Sequence, residues 1–144
     1  MNKKYNELEL SILSCLLQRP ELMKEVKLEN KYFINYKKLW IFMKSFYEKF
    51  EDFDLVLMVS VAKDKYHIIE YIKILVDLEA TPSNFKKYQD LLIEQYKQKK
   101  KEVFLKERIF KLATDLYVGN IDIEKFKNKL RGSFFTANEL FGDD

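Results

Sequence analysis

Only 3 glycines, 2 prolines and 1 cysteine occur among the 144 residues of this chain. An all-β chain needs a turn about every ten residues, and so few turn formers do not supply them. The same scarcity disfavours loops that cradle phosphate. Neither G-x-x-x-x-G-K-[ST] nor G-x-G-x-x-G is present, which argues against a P-loop ATPase and a Rossmann oxidoreductase. A single cysteine has no partner for an internal disulfide and fits a reducing compartment. Cys15 lies among Ile12, Leu13, Leu16 and Leu17 and reads as a small buried hydrophobe rather than a nucleophile. The longest apolar stretch, Leu55 to Ala62, is interrupted by Ser60 and is far short of the about 20 residues a membrane span needs. Glu7 and Glu9 break any apolar core near the start, so no signal peptide is read there and a cytoplasmic protein is expected.

Apolar residues make up 47% of the chain, and 12 Phe, 9 Tyr and 1 Trp supply enough large side chains for a sizeable core. The net charge of +3 is too small a bias to announce a nucleic-acid binder by itself. The spacing of the apolar residues is helical almost throughout.

A first helix is expected from near Asn6, carrying Leu8, Ile12, Leu13, Leu16 and Leu17 and stopped by Pro20. A short helix over Glu21 to Val26 and an aromatic connector, Tyr32 to Ile34, follow. The next helix places Tyr36, Leu39, Trp40, Met43, Phe46, Tyr47 and Phe50 on one broad core face. Leu55 to Val61 is β-branched but has no partner run nearby, so it is read as a short helix capped by Asp54. A further helix, Tyr66 to Leu78, turns Ile68, Ile72, Leu75 and Val76 inward. After Thr81-Pro82-Ser83, one helix runs without a breaker to about Val118, roughly 50 Å at 1.5 Å per residue.

That helix changes character midway. Phe85, Tyr88, Leu92 and Tyr96 form one stripe, residues 97 to 102 contain nothing apolar, and a second stripe then begins. Six polar residues in succession do not lie inside a core. Gly119-Asn120 makes a turn, and Asp122 caps a last helix with Gly132 expected just past its end. The fold class is therefore all-α: a small helical bundle head over 1–96, a charged neck with a projecting two-helix hairpin over 97–132, and a C-terminal tail over 133–144. The tail carries three Phe and ends on Asp143-Asp144. It reads as a docked strap or a short linear motif, and as a natural terminus.

Catalytic chemistry finds little support. His67 has no second His or Cys at ligand spacing, so no metal is expected. Asp52 and Asp54 precede a helix, where acids serve as caps, and no cofactor is expected. Partner binding is assigned to the hairpin stripes, Phe104, Ile109, Leu112 and Leu116 with Ile123, Phe126 and Leu130, because two short helices alone leave part of such stripes wet. A homodimer is expected, the hairpin pairing with its own copy to give a four-helix bundle. From Lys86 to Lys111 there are nine basic residues against four acids, and Lys97, Lys99, Lys100 and Lys101 are the candidate nucleic-acid contacts.

Several segments resemble a known family. Glu9 to Leu17 is similar to E-x-x-V-L-G-x-L-L with Ser14 in place of the glycine. Phe33 to Phe42 is similar to F-Y-x-x-x-H-x-x-I-F with Lys38 in place of the histidine. Asp54 to Met58 resembles D-L-V-T-V, and Thr81 to Tyr88 resembles T-P-S-x-x-N-x-x-x-Y in slightly shortened form. Over roughly residues 7 to 132 their order resembles the N-terminal domain of the bacterial hexameric replicative DNA helicase, the DnaB type. The resemblance implies a collar-type domain that pairs through its hairpin and binds replicative helicase or primase. No motor domain follows within these 144 residues, so a standalone protein is expected, of the kind a phage or mobile element uses to load, mimic or inhibit a host helicase. An excised helicase fragment that binds primase, a primase-type helicase-binding domain and a DNA-binding protein using the lysine-rich neck are the alternatives.

Overall fold

The computed structural model describes residues 3–63 and 65–142. The fold is all-α: six α-helices and four short 3-10 segments, with no strand among the described residues. The helices are α1 (Lys3–Gln18), α2 (Lys37–Phe50), α3 (Leu55–Ala62), α4 (Ile68–Leu78), α5 (Phe85–Tyr117) and α6 (Ile123–Phe141). They belong to two compact units, Met1–Ile93 and Glu94–Asp144, divided within α5.

The first unit is a helical bundle. α1 is packed most extensively on α4 and contributes Ile12, Leu13, Cys15 and Leu16, all fully buried. α2 adds Leu39, Trp40, Met43 and Phe46, and the first turns of α5 add Phe85 and Leu92. Trp40 stacks on Phe33 with ring centroids 4.9 Å apart. Its indole Nε1 donates to Asn30 Oδ1 at 2.8 Å, which satisfies the one polar atom of a buried indole.

Two elements that the sequence reads as helices are shorter or tighter. Pro20–Glu25 is a 3-10 segment, and α4 starts at Ile68 behind another at Lys65–His67. Val76 is a correction. It is nearly half exposed, because Ile68, Ile72 and Leu75 already fill the inward face and Val76 falls to one side of it. The helix predicted from Ser83 begins at Phe85 after a 3-10 turn over Pro82–Asn84 and ends at Tyr117.

With few glycines, three helices end on charged residues in the left-handed region: Glu51, Lys63 and Glu79 at φ 54°, 46° and 50°. Asp54 caps α3 as expected, its Oδ1 accepting from the Leu57 N–H at 3.0 Å. Asp52 accepts from the Phe53 N–H at 2.7 Å, so both carboxylates of this turn are engaged by backbone.

α2 is capped from outside itself. Its N-cap residue, Tyr36, has no capping side chain, and the Glu9 carboxylate of α1 takes that place. Glu9 Oε1 accepts from the Tyr36 N–H at 2.9 Å and the Asn35 N–H at 3.1 Å. Burial pushes the Glu9 carboxyl above its ordinary value, against these backbone bonds, which hold it down.

The second unit is an antiparallel hairpin of the rest of α5 with α6. Asp122 caps α6 by accepting from the Lys125 N–H at 2.8 Å. Gly132 does not end this helix. It sits in the interior of α6, which runs on to Phe141 and stops at Gly142, whose φ of 90° suits glycine. The 133–144 segment is accordingly no separate tail through Phe141. The reason is packing: Ser133 and Ala137 are buried, and the Phe141 ring meets Phe104 with centroids 5.8 Å apart. Asp143 and Asp144 lie outside the described residues.

Candidate partner-binding hairpin

The register of the hairpin follows from its cross-links. Lys101 Nζ donates to the Gly142 carbonyl at 3.1 Å, Phe104 meets Phe141, and Leu112 lines one groove with Ser133. The predicted stripes divide on this register. Leu112 is buried, and Phe104, Leu116, Phe126 and Leu130 are half-buried, so these five serve chiefly to hold the hairpin together. Ile109 and Ile123 remain exposed, at 38% and 62%.

The larger exposed apolar surface is one that the periodicity argument missed. Val103, Phe110 and Tyr117 stand seven residues apart on α5 and are 44%, 75% and 92% exposed. Residues seven apart return to the same side of a helix, so the three form one apolar row along α5. Phe134, Phe135 and Leu140 are exposed on α6. The signal was present in the sequence at 103, 110 and 117, but the interleaved inner stripe at 104, 109, 112 and 116 masks it.

The lysines of the neck do not form one surface. Lys97, Lys99 and Lys100 are exposed, with Lys100 Nζ 5.5 Å from the Tyr96 ring centre, whereas Lys101 is half-buried on the Gly142 carbonyl. A second basic group lies further along. Arg108 and Lys111 from α5 and Lys129 from α6 line a groove of about 640 Å3, with Leu112, Gly132, Ser133 and Thr136 in its lining and Asp115 the one acid. Arg108 also rests over the Phe104 ring at 4.8 Å.

Among the described residues no group of three His, Cys, Asp or Glu is placed to hold a metal ion. His67 faces Glu70, with Nδ1 and Oε2 3.8 Å apart. Cys15 is fully buried, its thiol pushed up to about 11 by burial, and its Sγ donates to the Thr81 carbonyl at 3.6 Å. A thiol so placed is a packing group. No helix of the described residues is long and apolar enough to cross a membrane. Searches of protein-family models, curated proteins and solved structures find no match to this chain.

Proposed function

We propose that this chain is a non-catalytic, cytoplasmic protein-interaction module of DNA replication that docks through its hairpin on a replicative helicase or primase and pairs with its own copy in their absence. The observation that carries the reading is the exposed seam of Val103, Phe110 and Tyr117. Side chains of that size at that spacing gain most from a second helix laid along them. The sequence resemblance to the helicase N-terminal domain supports the choice of partner.

Pull-down from a host lysate with the intact chain, read by mass spectrometry, tests this. Recovery of helicase or primase, lost on Phe110→Glu, is the expected result, and recovery of neither would sink the reading. Phe110 is the residue to change because it is three-quarters exposed. A charge at Leu116 would instead enter the hairpin's own packing and confuse unfolding with lost binding.

The groove of Arg108, Lys111 and Lys129 favours a second reading, contact with a nucleic-acid backbone. Its measure is the salt dependence of binding to duplex and single-stranded DNA. A slope that falls by about one unit per lysine removed would support it.

A further inference from the structure

The end of α1, the turn before α3 and the end of α4 enclose a groove of about 560 Å3. Leu17, Phe53 and Leu75 give it an apolar base, Phe53 and Leu75 buried and Leu17 half-buried. Leu55 and Val76 line it as well and remain 43% and 46% exposed. A concave apolar lining with side chains left in water suits the apolar face of an amphipathic helix. Its charge is one-sided. Glu79 stands in the lining, and Asp52, Asp54 and Asp77 are next in sequence to lining residues, against one base so placed, Arg19. Asp52 and Asp54 accept from backbone N–H groups, and among the described residues none of the four acids forms an ion pair. The chain as a whole carries +3, so this acidic surround runs against the balance of the molecule.

We propose that the groove is a docking site for a basic amphipathic helix of a partner protein, whose apolar side chains seat against Leu55 and Val76 and whose Lys or Arg face Glu79 and the flanking acids. The charge selects that occupant. A second copy presenting the same face would set acid against acid. An anionic lipid surface or a nucleic-acid backbone would be repelled in the same way. Charge pairs at an exposed rim fix orientation and speed the encounter, while the apolar contact carries most of the affinity. A contact of this size belongs in the range of about tens of micromolar. Every residue of the groove lies in the first unit, so this surface stands apart from the hairpin.

The probe is a fluorescein-labelled peptide of about four helical turns, made of Leu and Lys alone with Leu at helical spacing and titrated with the full chain. Fluorescence anisotropy should give a Kd of about tens of micromolar that rises with salt. Two counterparts, with Glu for every Lys or Ser for every Leu, should bind at least about tenfold more weakly. Val76→Gln, a good helix former at an exposed position, should raise the Kd at least about fivefold. Glu79→Lys should raise it at least about threefold at low salt and less at high salt. The fold accepts lysine there, because Lys63 already ends α3 with the same left-handed backbone. Circular dichroism checks that the helix content of both variants is unchanged. No binding up to about 500 μM, equal binding of either counterpart, or indifference to either substitution would overturn the proposal. Phosphatidylcholine vesicles or a second copy, held in place of the peptide and lost on Val76→Gln, would overturn it equally. The titration is repeated on Phe110→Glu. The same Kd there supports the groove whatever becomes of the hairpin reading, and a Kd that follows Phe110 instead gives the peptide to the hairpin and overturns the proposal.

Discussion

At the scale of single residues, the chemistry of this chain is concentrated in buried groups that hold elements together. Glu9 is the clearest case. It caps α2 through the Asn35 and Tyr36 N–H groups, yet burial raises its carboxyl above 4.5, and burial is the largest influence. A carboxyl raised on folding contributes stability that is full below its unfolded value and is lost as pH rises from about 4.5 through the folded one. Denaturant unfolding of the parent and of Glu9→Gln at pH 4 and pH 7 should therefore show the parent losing ground to the variant as pH rises. If the parent instead gains ground, the backbone bonds outweigh the burial. Cys15 allows a simpler check. With the thiol enclosed and its pKa near 11, a disulfide reagent at pH 8 should leave it untouched in the native chain and modify it on unfolding. Reaction within minutes in native buffer would show that α1 opens locally.

At the scale of elements, most of the fold is legible from spacing, and the misses have specific causes. Apart from Phe50, which is exposed at the end of α2, the faces of α1 and α2, the Asp54 and Asp122 caps and the break at Thr81-Pro82-Ser83 lie where periodicity and capping chemistry place them. Gly132 is where local rules fail. A glycine after Lys127, Lys129 and Arg131 has the look of a helix end, but packing of Ser133, Ala137 and Phe141 carries α6 past it. The candidate site is legible in part: the hairpin is, its outer face is not, because two stripes share α5 and only the neighbouring helix decides which one turns inward. The same reasoning yields a prediction. A Cβ built on Gly132 meets nothing within 4 Å and the residue has helical backbone, so Gly132→Ala should stabilise the chain by about 0.5–1 kcal/mol. Thermal unfolding measures it. A lower melting temperature would mean that the groove beside Gly132 closes on a side chain.

At the scale of the whole molecule, the hairpin seam sets the size of the expected assembly. An isologous contact closes on itself, so a chain with one such surface stops at a dimer. At tens of micromolar, roughly the range in which micromolar contacts are mostly filled, light scattering should find the parent as a dimer and Phe110→Glu as a monomer. A parent that is already monomeric there would remove self-association through the seam. A dimer that survives Phe110→Glu would mean that the association is carried elsewhere, and the exposed Phe134, Phe135 and Leu140 of α6 would then be the residues to change next.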